Sequence, residues 1–384
     1  MATHDRLGLG VIGGGGAFGR FISTALPLVA GVDLRAIAGT NEQRTRLAAE
    51  ALHVPFWTLD YHSLIARTDV DVVVVASPPH LHAAMAMAAV QANKAVFVEK
   101  PLATSLSEGL ALVEEARRRR VPATIDYVMR YSPIYQAARA IVGTAALGSL
   151  RRMDFRNDAG DEGLAVDHWF WDRTKSGGIF IEHGVHFFDV YGWLAGAAPR
   201  AVHGLALMRD DTDQQDVVHA DVQYANGILG TFTHAFDKPS RLETQEGLLV
   251  FDRGSIRIAG WTPNHLELLG LVTDDERDQL AAITGLALET VEQYDADRTM
   301  RGRGKRFPVR HAVRGILARA EDSQELYRQA VGAALADLIA TIRSADHCQQ
   351  VTLGDGLVSL AVACVAAGTA GTAALARVVE VASV

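Results

Sequence analysis

The chain has 384 residues, enough at ~150 per domain for two or three domains with a substantial core. Apolar residues are 49% and charged residues 21%, which excludes collagenous and intrinsically disordered classes, and a formal charge of -8 argues against an obligate nucleic-acid binder. The two cysteines, Cys348 and Cys364, make neither a disulfide framework nor a zinc cluster and suit a reducing compartment.

The opening MATHDRLGLG has no basic segment followed by an apolar one, so no export signal is expected and the cytoplasm is the expected location. From there LGLGVIG, VDLRAIAG, DVVVVAS, KAVFVEK and VPATIDY alternate with segments of helical spacing such as EQRTRLAAEAL and LSEGLALVEEARRRR. With VPFWT as a short third strand, these are the proportions of a six-strand, doubly wound parallel sheet buried on both faces. The rhythm stops between Asp126 and Pro133, which sets the expected domains at 1-126 and 127-384. From Leu150 the strands RRMDFRND, RAVHGLALM, DVVHADVQY, GILGTFTHAF, EGLLVFD, SIRIAG and HLELLGLV predict an α+β domain with a large open, mostly antiparallel sheet. A helix over Ile179 to Trp193 is expected to cover one face, and the uncovered face is a natural subunit contact.

Residues 274 to 325 are charged and poorly patterned, and Arg298, Arg301, Arg303, Lys305, Arg306, Arg310, Arg314 and Arg319 run without an intervening acid. This reads as a solvated helix or mobile insertion, with an anion site for a phosphorylated or nucleotide-linked substrate as the alternative. Gly356 to Ala376 is uncharged and about the ~20 residues a bilayer crossing needs. Its small residues, and the stripe Leu357, Leu360, Ala361, Cys364, Val365 and Gly368, predict a closely packed interior helix, so no membrane partner is expected.

Gly10, Gly13, Gly14, Gly15, Gly16 and Gly19 lie between the first strand and a helix starting near Phe18. Side-chain-free backbone there can turn tightly and set amide N–H groups and a helix N-terminus against a pyrophosphate. Counting from Gly14 gives GxGxxG; counting from Gly13 gives one residue more, so two registers stay open. The position at the end of the second strand, where an acid usually holds the adenosine ribose, is Gly39, followed by Thr40 and Asn41. Thr40, Asn41 and Arg44 can instead hydrogen-bond a 2′-phosphate, which favours NADP; the alternative is that Thr40 and Asn41 only cap the next helix.

SPPHLH and Glu99-Lys100-Pro101 follow the fourth and fifth strands, at the edge where ligands of open α/β sheets bind. An ammonium at Lys100 can polarise a substrate oxygen, or serve as a base if its pKa is lowered, while His80 and His82 read as loop-ordering residues. In SGGIFIEHGVHFFD, a helix from Ile179 puts Glu182, His186 and Asp189 on one face, with Gly177 and Gly178 permitting close backbone approach. His186 suits proton exchange with an alcohol and Glu182 can orient it; a satisfied core histidine is the competing reading. A metal site at Glu182, His183, His186 and Asp189 lacks the HExxH order, and no metal is expected. In DHWFWDR, Trp169, Phe170 and Trp171 suit a sugar face or a buried junction equally.

Together GVIGGGGAFG, SPPHLH, VEKPL, RYSP and SGGIFIEHGVHFFD, in this order, resemble the Gfo/Idh/MocA family of NAD(P)-dependent oxidoreductases over most of the chain. The resemblance implies an N-terminal Rossmann domain, a C-terminal domain whose open sheet forms a homodimer or homotetramer, and a site between them. It also implies catalysis by Lys100 and His186 with the acid four residues before the histidine, here Glu182 where Asp is commoner. Pro79, where Asn is frequent, and the basic stretch Arg298 to Arg319 also depart from the pattern. The expected cofactor contacts are Gly13, Gly14, Gly15, Gly16, Ala17, Phe18, Gly39, Thr40, Asn41, Arg44, Ser77, Pro78, His82, Glu99 and Lys100. Lys100, Arg130, Trp169, Trp171, Glu182 and His186 are the expected substrate contacts. The implied activity is hydride transfer to or from a secondary alcohol or ketone carbon of a sugar, cyclitol or glycoside. A glycoside-cleaving enzyme on the same scaffold and a non-catalytic cofactor-binding sensor are the alternatives.

Overall fold

Six short apolar runs build the first sheet. They are β1 (Leu7–Ile12), β2 (Val32–Ala38), β3 (Phe56–Thr58), β4 (Val72–Val75), β5 (Ala95–Val98) and β6 (Ala123–Ile125), all parallel, in the order β3-β2-β1-β4-β5-β6. The computed structural model describes residues 6–210 and 212–382, apart from the side chains of Ala17 and Arg20. The first five residues of the segment read for an export signal and the outermost domain limits lie outside those residues. All four valines of β4 are buried, as the centre of a sheet covered on both faces requires. The strand order reverses between β1 and β4, which opens a crevice at the C-terminal strand ends.

The crossovers are α1 (Ala17–Ala25), α2 (Glu42–Ala51), α3 (Tyr61–Ile65), α4 (His82–Gln91) and α5 (Leu106–Arg119). Asn41 and Ser105 start α2 and α5 by accepting from the main-chain N–H groups of Arg44 and Glu108. A 3₁₀ turn, Val128–Tyr131, and α6 (Pro133–Thr144) lead into the second sheet.

That sheet contains β7 (Leu150–Gly160), then, after α7 (Arg173–Ser176) and α8 (Val185–Ala195), β8 (Pro199–Met208), β9 (Gln215–Tyr224), β10 (Leu229–Lys238), β11 (Thr244–Phe251), β12 (Gly254–Ala259) and β13 (His265–Val272). After α9 (Asp274–Ala281) come β14 (Ala287–Gln293), the hairpin β15 (Thr299–Gly302) and β16 (Lys305–Pro308), and β17 (His311–Ala318). The order is β14-β17-β13-β12-β11-β7-β10-β9-β8, antiparallel except for β7 beside β10. Alternation sends Met153 and Phe155 inward. Phe187 of α8 stacks on Phe155 with ring centroids 3.7 Å apart, and each such buried ring contributes roughly 1.5–3 kcal/mol.

The chain ends in α10 (Ser323–Arg343), α11 (Leu353–Ala366) and α12 (Thr372–Ala382). Ala330, Val331, Leu335 and Leu338 of α10 pack on Leu9, Val11, Val72 and Val74, so the C-terminal segment returns to cover the first sheet.

Two expectations differ from this structure. Residues 274–325 are a short helix, two strands that extend the large sheet, and a hairpin, rather than one solvated helix or insertion. Arg310 pairs with Asp274, Arg314 with Glu267 on the neighbouring strand and Arg319 with Glu321 two residues on, so part of the basic run is neutralised by acids outside it. The uncharged stretch 356–376 is two helices, with Gly368 at φ +72° just past the end of α11, because only the first is buried along its length. Among the described residues no helix is long and apolar enough to cross a membrane.

Candidate active site

At the crevice, Gly13, Gly15, Gly16, Gly39, Thr40, Asn41, Arg44, Ser77 and Pro78 line a cavity of about 380 Å³. Gly13 makes the turn: φ is +88°, and a Cβ would lie 2.2 Å from the Ala76 carbonyl oxygen. Gly19 lets α1 close on the loop, since its Cβ would lie 2.4 Å from the Gly13 oxygen. Gly14 is close-packed as well, its Cβ falling 2.5 Å from Ile37 Cγ2, and Gly19 belongs to both registers, so both carry tight contacts. Asn41 spends its side chain on capping α2, while the Arg44 guanidinium has no ion-pair partner among the described residues. Ser77 Oγ is buried without a hydrogen-bonding partner among the described residues. A cradle that side chains would fill, an orphaned hydroxyl and an unpaired guanidinium fit the phosphates and ribose of a dinucleotide.

The remaining expected cofactor residues lie off this lining. Gly14 faces Ile37, and Phe18 stacks towards Phe21 at 6.4 Å. Ala17 begins α1, and its side chain lies outside the described part. His82 is buried with both ring nitrogens 2.7 Å from carbonyl oxygens, those of Ser77 and Pro101, so it ties the cavity loop to the segment after β5.

That segment carries Glu99 and brings Lys100 against Glu182. Lys100 Nζ donates to the Glu182 carbonyl at 2.9 Å and to Glu182 Oε1 at 2.6 Å. Burial opposes the ammonium, but the Glu182 and Glu99 carboxylates outweigh it and hold Lys100 above the ordinary lysine value. An ammonium has three donors, and Glu182 takes two, leaving one for an incoming oxygen.

Glu182 sits in a turn of π-helix, Phe180–Gly184, ahead of α8. This turn interrupts the helical spacing, and the three residues expected on one face make separate contacts. Glu182 binds Lys100, Asp189 binds Arg130, and neither nitrogen of His186 has a hydrogen-bonding partner among the described residues. His186 is 1% exposed, with ring centroids 6.0 Å from Tyr127 and 5.5 Å from Trp261. Burial, then the charge of Lys100, push its pKa well below the usual histidine value, so the ring is neutral. A neutral imidazole with both nitrogens free can accept a proton from a hydroxyl or donate a hydrogen bond to one.

Arg130 is committed elsewhere: it grips Asp189 through two bonds of 2.9 and 2.6 Å and reaches Asp355 at 2.9 Å. Trp169 lines the dinucleotide cavity. Trp171 is buried under the Arg209 guanidinium, 4.1 Å from its ring centre, and donates to the Leu164 carbonyl. Residues not anticipated include Leu59, Tyr61 and Met85 on the cavity wall, and Asp126, Trp261 and Tyr327 near Lys100 and His186; His183, weighed only as a metal ligand, lies there too. Asp126 has the signal that singled out Lys100, a polar residue at a C-terminal strand end. Trp261 and Tyr327 come from distant loops and helices and carry none.

Two family models fit consecutive parts of the chain. Residues 7–127 match an oxidoreductase family with an NAD-binding Rossmann fold, and residues 135–257 match the GFO/IDH/MocA C-terminal domain. The chain belongs to the Gfo/Idh/MocA oxidoreductase family. It is 27% identical over 246 residues to a scyllo-inositol 2-dehydrogenase (NAD(+)) of Bacillus subtilis, covering 63% of this chain and 70% of that one. It is 30% identical over 214 residues to an inositol 2-dehydrogenase of Acidothermus cellulolyticus, covering 55% and 60%. An uncharacterized oxidoreductase of Synechocystis sp. is 32% identical over 146 residues, and the match spans only 39% of its length. In fold the chain is similar to levoglucosan dehydrogenase in complex with NADH and levoglucosan, with a TM-score of 0.75 at 19% identity, covering 97% and 98% of the two chains.

Proposed function

We propose that this Gfo/Idh/MocA protein is an NAD(P)-dependent dehydrogenase or ketoreductase acting on a secondary alcohol or ketone carbon of a sugar, cyclitol or glycoside. The observation that carries this reading is Lys100 with one N–H to spare near a neutral, unpartnered His186, at the edge of a sheet whose crevice fits a dinucleotide. The inositol and levoglucosan dehydrogenases to which the chain is similar support the substrate class.

When bound, the nicotinamide supplies the two-electron hydride chemistry. In the oxidative direction His186 takes the hydroxyl proton on a ring nitrogen, and Lys100 donates its free N–H to the same oxygen as negative charge develops there. Glu182 holds the ammonium in position and keeps it charged. In the reductive direction the same two groups donate to the carbonyl oxygen and return the proton. Burial of His186 and Tyr127, with the half-buried Trp261 beside them, excludes water from the proton path.

Thr40 and Arg44 on the cavity wall, the latter without an ion-pair partner among the described residues, and the lack of an acid at 39–41 support NADP. Thermal unfolding with NAD⁺, NADH, NADP⁺ and NADPH tests both parts, since a ligand at ~100 times its Kd adds ~2.7 kcal/mol of stability. A shift chiefly with the phosphorylated forms supports the NADP reading. Equal or larger shifts with NAD⁺ and NADH overturn that preference, and no shift with any form overturns the enzyme reading itself.

The reading includes assembly of two copies through the open face of the large sheet. Leu205, Leu229 and Leu269 are exposed there, and the face also carries Arg152, Asp154, Arg156 and Glu246, both signs of charge that a two-fold partner can match. Sedimentation of the wild type and Leu269→Glu decides it: a dimer that dissociates in the variant is expected, and a wild-type monomer contradicts it.

A further inference from the structure

Asp126 lies just past β6, and its main-chain N–H donates to the Val98 carbonyl at 2.8 Å, which sets it level with Glu99 at the end of β5. Its side chain is wholly buried, and neither oxygen meets a hydrogen-bond donor among the described residues. The polar group it does meet is the Glu99 carboxyl, whose Oε2 accepts from the Lys100 main-chain N–H at 2.6 Å. Two ionised carboxylates are both acceptors and repel one another, whereas one proton between them turns the same contact into a strong hydrogen bond.

We propose that Asp126 is a positioning residue that shares one proton with Glu99, and that this pair sets the negative charge held against the Lys100 ammonium. The inference rests on the reading of Lys100 as the group that binds the reacting oxygen. With the proton in place the pair carries a single negative charge and Glu182 another. When the proton leaves, the pair doubles its charge and the grip on the ammonium tightens, so Lys100 stays a donor as pH rises.

The histidines and tyrosines facing this pair do not titrate in its place. Glu182 and His183 come from the π turn, His186 from α8, His82 from α4, Tyr327 from α10, and Tyr131 from the 3₁₀ turn, its hydroxyl donating to Asp337. Burial keeps the three histidines neutral and raises both tyrosines above their ordinary value. Burial also raises the two acids, Glu99 to about 7 and Asp126 well above the usual carboxylate range.

Infrared spectroscopy of the protein without cofactor or substrate tests the pair through the carbonyl stretch of a protonated carboxyl. Titration upward from about pH 6 should show that band in the wild type and its weakening as pH rises. Wild type minus Asp126→Asn should isolate it, because the remaining Glu99 then ionises against Lys100 and an amide donor. Glu99→Gln gives the same reading if Asp126→Asn does not fold. Absence of the band from the wild type, or its persistence unchanged in either folded variant, overturns the inference. As a second readout, the alkaline limb of the rate profile should move to lower pH in Asp126→Asn; an unmoved limb contradicts the link to Lys100. Failure of the wild type to bind nicotinamide would remove the catalytic reading and leave the infrared result standing on its own.

Discussion

Lys100 Nζ reaches across 82 residues of sequence to bind both the carbonyl and the carboxylate of Glu182, joining the end of a Rossmann strand to the turn before α8. The two side chains are 13% and 12% exposed, so the pair is shielded without being sealed. Removing the Glu182 charge therefore leaves the ammonium with less support. In Glu182→Gln the alkaline limb of the rate profile should move to lower pH, because loss of a neighbouring carboxylate lowers a lysine pKa. An unchanged limb with the best substrate of a polyol panel would show that Glu182 does not tune Lys100.

Arg130 gives a contrasting outcome. It forms a buried pair with Asp189, and Arg130→Ala strands that carboxylate, whose pKa burial already raises to about 7 despite the guanidinium. Urea unfolding should show a loss of roughly 3–5 kcal/mol, while the folded fraction keeps its cofactor-induced thermal shift. A normal stability with a raised substrate KM would instead make Arg130 a substrate contact.

Arg44→Ala tests the phosphate reading. A charge-assisted bond is worth about 1.5–3 kcal/mol, so NADP⁺ affinity should fall roughly 10- to 100-fold while NAD⁺ affinity holds. Equal losses for the two cofactors would place Arg44 outside the 2′-phosphate contact.

The buried histidines make stability pH-dependent. Burial, then the nearby His183, hold His234 well below its usual pKa, and neither of its nitrogens has a partner among the described residues. The unfolded chain takes up a proton below about pH 6.5 that the folded one refuses, so this residue costs stability as pH falls, by up to ~1.4 kcal/mol per pH unit. His234→Phe should gain on the wild type progressively between about pH 7 and about pH 5 in urea unfolding. Parallel curves would contradict the neutral assignment.

How far the sequence reached depended on whether the signal was local. The valine run of β4 and the inward alternation of Met153 and Phe155 follow from periodicity, and the strands they mark form as expected. β14 and β17 escaped because β14 is almost wholly exposed and β17 shows Arg314 to solvent, which leaves little apolar alternation in that charged region. The shared face of Glu182, His186 and Asp189 rested on α-helical spacing that the π turn interrupts. Arg130 looked available because its acids lie 59 and 225 residues away.

The central claim is that Lys100 and His186 act on a hydroxyl or carbonyl group in a nicotinamide-dependent reaction. The most direct measurement is steady-state formation of reduced nicotinamide with a polyol panel by the wild type, Lys100→Ala and His186→Ala, alongside cofactor titration of each. The account expects stoichiometric turnover by the wild type and a kcat lower by roughly 10²–10⁴-fold in both variants at unchanged cofactor affinity. Wild-type turnover in both folded variants would contradict it.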